Sequence, residues 1–153
     1  TIVGDDSGSR LYWDLIETGH AEAAAIWPYD YQGVGLAMTY LSCAPEQAQE
    51  NLQRLADIQR IVEVKGVTEK ELEQAKAKVC AHIVLRSERP SSRLFAIGGG
   101  WIQRSEYRSV KQTIDAYRAV TVDDVNRMLK QYPLSHNMTV AVGPLDELKS
   151  PYA

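Results

Sequence analysis

Leu11, Tyr12, Leu15 and Ile16 follow an i, i+1, i+4, i+5 spacing, a helical stripe within 5–16 whose first turn Ser7 or Ser9 can cap. Gly19 is a stop signal. Two β-like runs follow, 23–31 and 34–43, joined around Asp30-Tyr31-Gln32-Gly33, and the pair reads as an antiparallel hairpin. In the second run Val34, Leu36, Met38 and Tyr40 alternate with Gly35, Ala37 and Thr39. One face is therefore large and apolar and the other small, as expected of a strand beneath closely packed helices.

From Pro45 to about Tyr132 the spacing turns helical. Ala48, Leu52, Leu55, Ile58 and Val62 form one stripe, ended by Lys65-Gly66. Thr68 and Glu71 have capping-box spacing, each side chain satisfying the other's free backbone N–H. The helix they open carries Leu72, Ala75, Val79 and Ile83 on one face. Pro90 marks a boundary, after which Leu94, Ile97 and Trp101 resume the register. Val110, Ile114 and Tyr117 mark another helix. Thr121 with Asp124 caps a last one bearing Val125, Met128, Leu129 and Tyr132, and Pro133 stops it. Met138, Val140 and Val142 then alternate as a short strand closed by Gly143-Pro144. Helix, two strands, several helices and one strand make an α+β fold, an antiparallel sheet of about three strands against a helical layer.

The 153 residues suit one domain, since a chain of about 150 residues buries roughly 70% of its unfolded surface. A net charge of −3 gives no general attraction to phosphate backbones, so no nucleic-acid partner is expected. No run approaches the roughly 18 apolar residues of a membrane span, so no membrane partner is expected either. No targeting signal is visible, and Cys43 and Cys80 are too few for a disulfide framework. A reducing, cytoplasmic setting is the expectation. The start Thr1-Ile2-Val3-Gly4 reads like the inside of a longer polypeptide.

Each candidate chemistry has a plainer counterpart. Gly4-Asp5-Asp6-Ser7-Gly8-Ser9 has the look of the sequence around a chymotrypsin-like serine nucleophile, but that chemistry needs a His base and a double β-barrel. A helix start is the stronger reading. His20, His82 and His136 are the only histidines and no two share i, i+4 spacing. Cys80 and His82, two apart on a helix, point in nearly opposite directions, so no metal site is expected in this chain. Gly98-Gly99-Gly100 lacks the strand and the Lys-Ser/Thr of a phosphate loop, and close helix packing with Trp101 beside it is the better account. Arg86, Arg89 and Arg93, followed by Arg104 and Arg108, form the densest charge cluster. Arg89, Arg93 and Arg104 are the candidates for holding a carboxylate or phosphate. Internal pairing with Glu88 and Glu106, plus capping by Ser91 or Ser92, is the plainer reading.

The ordered set of segments resembles the insulinase/pitrilysin zinc peptidases. Gly4-Asp-Asp-Ser-Gly-Ser-Arg-Leu-Tyr-Trp-Asp-Leu15 is similar to the family's G-x-x-x-S-R-L-(F/Y)-x-x-(L/I) helix. Val67-Thr-Glu-Lys-Glu-Leu-Glu-Gln-Ala-Lys-Ala-Lys78 is similar to its (I/V)-T-E-E-E-L-E-x-A-K helix. Glu88-Arg-Pro-Ser-Ser-Arg-Leu94, Val120-Thr-Val-Asp-Asp-Val125 and Val140-Ala-Val-Gly-Pro144 follow in the family's order. The resemblance is to the C-terminal, non-zinc half of an inverzincin of the mitochondrial-processing-peptidase type. It implies a LuxS/processing-peptidase-like lobe, with residues 1–153 one domain cut from a larger two-lobed protein.

The resemblance further implies that catalytic zinc sits in an N-terminal half carrying H-x-x-E-H and a downstream Glu. That half and a peptide substrate are the implied partners, and this chain alone is expected to be inactive, closing the peptide chamber. The expected alternative is a non-catalytic assembly lobe, with an independent small-ligand binder using the 86–108 arginines as a third reading. Many second halves place a substrate-holding Arg in the opening helix and a Tyr after the following turn. Aligned here, those places fall at Ile16 and Glu22, so the roles are not transferred. Self-association into a homo-oligomer is expected where sheet edge and apolar helix surface lie open.

Overall fold

Ser9 opens the first helical turn. Its Oγ accepts the Tyr12 N–H at 3.2 Å and donates to the Asp5 carbonyl at 2.8 Å, so the helix begins at Arg10 rather than at Asp5. In the computed structural model, which describes residues 1–152, this turn widens to π geometry over Tyr12–Ile16. The last residue of the expected 1–153 domain lies outside that range. The Glu17 N–H closes the π turn on the Tyr12 carbonyl at 2.9 Å, and the Tyr12 hydroxyl donates to Glu17 Oε2 at 2.8 Å. The wide turn brings Leu11 and Leu15 onto one fully buried face.

Strands β1 (Ala23–Tyr31) and β2 (Val34–Ser42) form the antiparallel hairpin, closed by a two-residue turn at Gln32-Gly33. Five helices follow: α1 (Ala48–Lys65), α2 (Glu69–Ser87), α3 (Pro90–Arg104), α4 (Val110–Arg118) and α5 (Val122–Gln131). A single 3-10 turn, Pro45–Gln47, leads into α1. The capping boxes at Thr68/Glu71 and Thr121/Asp124 are both formed, and a third at Ser109/Gln112 opens α4. Pro90 occupies the first turn of α3, where its missing N–H costs nothing.

Helices and hairpin meet in a core of Leu11, Leu15, Ala21, Ala24, Leu52, Leu55 and Ile58. Ile26, Leu41 and Cys43 pack against it from the sheet side. At roughly 1.5–3 kcal/mol for each large aliphatic side chain buried, this cluster is the main stabilising element. The polar side chains buried with it are all partnered. Asn51 donates to the His20 carbonyl at 2.6 Å, and Gln59 accepts the Tyr152 hydroxyl at 2.7 Å.

The α1–α2 junction turns on Gly66, at φ +71°, where a side chain would collide with Asn126 of α5. Arg10 donates to the Gly66 carbonyl at 3.0 Å and also pairs with Glu71, so the opening turn and both helices converge there.

Two expectations are corrected. The sheet has two strands, not about three: Met138, Val140 and Val142 alternate but stay exposed at 91%, 82% and 99%, with no pairing among the described residues. Alternation makes a segment strand-competent, but a ladder needs a neighbour with free N–H and C=O groups. Close packing at Gly98–Gly100 is also absent. No atom lies within 4 Å of where a Cβ would stand at Gly98 or Gly99, and at Gly100 the near neighbour is the flexible end of Arg104. Leu94, Ile97 and Trp101 of α3 are accordingly exposed. No helix among the described residues is long and apolar enough to cross a membrane.

Candidate functional site

The hairpin register pairs Trp27 with Met38, Tyr29 with Leu36 and Tyr31 with Val34, with Ala25 opposite Tyr40. Side chains alternate along a strand, so these residues share one face. The opposite face carries Ala24, Ile26, Thr39 and Leu41, which the core and α1 cover, and Gly35 and Ala37 nearer the turn, which are exposed. The base of that face is thus covered, while the large residues of the first face stay open to solvent. Trp27 remains 44% exposed, Leu36 51% and Tyr31 62%. Trp27 and Tyr40 lean together with ring centroids 6.0 Å apart. The face holds no ionisable carboxylate, amine or guanidinium between Trp27 and Tyr40, because Asp30 belongs to the other side.

Such a surface binds by apolar contact and aromatic stacking rather than by charge. Its tip is held: Gln32 Nε2 donates to the Ile102 carbonyl at 3.3 Å, and Gln103 Nε2 donates to the Asp30 carbonyl at 3.2 Å. The end of α3 therefore props the turn of the hairpin. The alternation at Val34–Tyr40 signalled this face in the sequence. The matching aromatics of β1 carry a weaker signal, because Pro28 and Asp30 break the run.

The arginines do not form one site. Arg89 and Arg93 stand a turn apart at the start of α3, and Arg104 ends the same helix, about 16 Å further along its axis. All three are exposed. Among the described residues no carboxylate lies within 4 Å of Arg86, Arg89, Arg93 or Arg104, and Glu106 pairs instead with Arg108 at 3.0 Å. Neither Ser91 nor Ser92 caps α3, whose first turn lacks a side-chain cap.

The serine of the opening motif is part of a clamp. Lys78 reaches Asp5 and Asp6 at 2.9 Å each and donates to the Ser7 carbonyl at 3.0 Å. Hydrogen bonding to Lys78 holds the Asp6 carboxyl below its ordinary range. The Ser7 hydroxyl donates to Asp6 at 3.4 Å, no histidine is among its partners, and it is Ser9 that opens the helix.

The residues present do not fit a zinc ion. Among those described, no three His, Cys, Asp or Glu side chains gather as a ligand set. The backbone carbonyl of His20 is engaged by Asn51, while His82 lies exposed on α2 and His136 in a turn after α5. Ile16 packs against the core, and Glu22 is exposed, accepting from Ser42 Oγ at 3.4 Å.

Comparison with known proteins places this arrangement. An uncharacterized zinc protease of Mycobacterium tuberculosis is 27% identical over 145 residues, 94% of this chain and 33% of that protein. The chain thus spans about a third of the length of the curated relatives it matches. The crystal structure of the inactive peptidase domain of a protein described as a zinc protease, from Bordetella parapertussis, superposes with a TM-score of 0.72. The identity is 26%, covering 87% of this chain and 73% of that one. A Bordetella pertussis crystal structure described as that of a zinc protease gives a TM-score of 0.68 at 27% identity, over 83% and 70% of the two chains. The family described as the Peptidase M16 inactive domain matches residues 1–79. That match covers the Gly4–Leu15 and Val67–Lys78 motifs and meets the expectation they set: the chain belongs to the Peptidase M16 inactive domain family.

Proposed function

We propose that this chain is the non-catalytic C-terminal lobe of a zinc metalloendopeptidase and that its exposed sheet face forms one wall of the peptide chamber. The observation that carries this reading is the solvent-facing, uncharged face of Trp27, Tyr29, Tyr31, Val34, Leu36, Met38 and Tyr40 on a chain of an inactive peptidase family. Zinc and the water it activates belong, in this reading, to an N-terminal half with H-x-x-E-H and a downstream Glu. The residues here hold an extended peptide by its apolar side chains and exclude water beside it.

The test pairs the chain with its zinc-bearing half and measures hydrolysis of an unstructured peptide. Trp27→Ser with Leu36→Ser is expected to raise KM roughly tenfold with little change in kcat, the signature of lost uniform binding. Unchanged KM, or chelator-sensitive hydrolysis by this chain alone, sinks the reading.

A second reading is an assembly lobe without proteolytic function. Ile16 and Glu22 favour it, since neither supplies the Arg or Tyr donor at the aligned places. A degenerate H-x-x-E-H in the coding sequence upstream of Thr1 would decide for it.

A further inference from the structure

Helix α3 carries Gly98, Gly99 and Gly100 as consecutive residues in its interior, and nothing in their own conformation asks for glycine. The positive φ angles belong to Gly8, Gly19, Gly33 and Gly66, whereas 98–100 keep the ordinary helical backbone. A methyl group at 98 or 99 would touch no atom of the described residues, and at 100 it would meet the flexible end of Arg104. In a helix interior each Gly lowers the helical population roughly fivefold against Ala, so the triplet is weaker than three alanines by about a hundredfold. That weakness belongs to the backbone itself and is the same whatever segment lies alongside.

Within a helix each N–H bonds to the carbonyl four residues earlier, so the carbonyls of 98–100 receive the N–H groups of Ile102, Gln103 and Arg104. Opening at the glycines therefore releases one short segment, the last turn 101–104, and leaves 90–97 helical.

The two parts of α3 are tied to different neighbours. The first turn joins α2 through a tight bend, where the Arg89 N–H donates to the Arg86 carbonyl at 3.2 Å and the Arg93 N–H to the Arg89 carbonyl at 3.0 Å. The last turn holds the hairpin instead, through the Ile102 carbonyl and the Gln103 side chain. Ser105, left-handed at φ 52°, ends the helix just beyond those contacts. The core reaches only the base of the hairpin, at Ala24, Ile26 and Leu41. Among the described residues, the bonds at Gln32 and Asp30 are the side-chain ties between the hairpin turn and the helices.

We propose that Gly98–Gly100 is a hinge in α3, and that the last turn, 101–104, moves together with the hairpin tip, 29–36, relative to α1 and α2. The tip carries Tyr29, Tyr31, Val34 and Leu36 of the large sheet face, so the hinge sets the tilt of that face. Its bearing on a bound peptide rests on the chamber-wall reading. The hinge itself does not.

Hydrogen exchange followed by mass spectrometry, on the chain joined to the rest of its protein, tests the hinge. The amides of 102–104 should exchange about tenfold faster than those of 94–97. Gly98→Ala with Gly99→Ala should slow 102–104 and 29–36 together by roughly 25-fold, two steps of the fivefold preference. Adding Gln32→Ala and Gln103→Ala cuts the ties, after which the alanines should still slow 102–104 but no longer 29–36. Equal exchange along the whole of α3 in the native protein overturns the proposal, and this comparison decides even if the variants misfold. An alanine pair that quickens exchange also overturns it, by making the glycines seats for a closely packed segment. A tip that ignores the alanine pair while its ties are intact does the same. None of these readouts involves peptide hydrolysis, so their failure is distinct from failure of the chamber-wall reading.

Discussion

Arg10 and Glu71 form a two-pronged ion pair, Nε to Oε1 at 2.8 Å and Nη2 to Oε2 at 3.0 Å, joining two segments 61 positions apart. Each residue serves twice. Arg10 also holds the Gly66 carbonyl, and Glu71 also accepts the Thr68 N–H at 2.8 Å as half of a capping box. Two of the segments that carry the family resemblance, Gly4–Leu15 and Val67–Lys78, are thus parts of one joint.

Acid should open that joint. Hydrogen bonding from Arg10 holds the Glu71 carboxyl at about 2, well below its ordinary 4.5. A depressed carboxyl stabilises the fold fully above the unfolded value and loses that contribution as pH falls from about 4.5 toward 2. The side chains keep 22% and 28% of their exposure, so after solvent screening the contribution is about 2 kcal/mol. Denaturation midpoints measured from pH 6 to 2 should fall along this limb for the native chain, whereas Glu71→Gln, weaker throughout, should show a shallower one (order-of-magnitude expectation from linkage, ~1 kcal/mol per titrated unit). Parallel curves for the two proteins would refute the assignment.

Gly66→Ala should destabilise the fold by about 1–3 kcal/mol, combining a left-handed φ with the collision against Asn126. Adding Asn126→Ala should recover the collision share and leave the backbone share. Thermal melts of the single and double variants separate the two, and an Asn126→Ala background that changes nothing argues against the collision.

Tyr152→Phe removes the hydroxyl that donates to Gln59 and leaves a buried acceptor short of a partner, at a cost of about 1–2 kcal/mol. Gln59 in turn donates to Thr39 of β2 at 3.4 Å. Hydrogen exchange should therefore quicken in β2 as well as in the tail. Acceleration confined to 148–152 would show that Gln59 does not couple them.

The large sheet face should contribute little to folding. Trp27→Ser removes an exposed side chain and its contact with Tyr40, and should cost about 1 kcal/mol or less. Leu15→Ala, at a fully buried site, should cost about 2–5 kcal/mol. Urea denaturation of the two variants checks the contrast, and comparable losses would mean that the face is a folding surface.

Local signals are legible in the sequence and nonlocal ones are not. The Thr68 and Thr121 boxes, the Pro90 boundary and the α1 stripe are encoded within a few residues, and each is present as expected. Ser109 with Gln112 has the same spacing, a weaker signal because Gln is the less conspicuous partner. Met138–Val142 carried a true period of two and still formed no strand, since periodicity does not supply a partner. The large apolar face of the candidate site was legible from β2 alone. The separation of Arg89 and Arg93 from Arg104 follows from helix α3 running unbroken between them, through the three glycines whose spacing suggests close packing. The tail had no local signature at all, because single side chains far upstream hold it.

Those tail contacts bear on when the molecule can fold. Gln49 grips residue 149 at both backbone groups, Oε1 accepting its N–H at 2.9 Å and Nε2 donating to its carbonyl at 3.0 Å. Leu148 and Tyr152 pack against the same cluster as Leu11 and Leu15. The core therefore draws on segments as far apart as Leu11 and Tyr152, and the Gln49–Lys149 contact closes a loop of 100 residues. During synthesis the hairpin and helices can form as they emerge, but the cluster they enclose stays open until Leu148 and Tyr152 arrive. Nascent chains stalled before Leu148 should persist as helical, protease-sensitive intermediates, because the contact that completes the fold is also the slowest to be made.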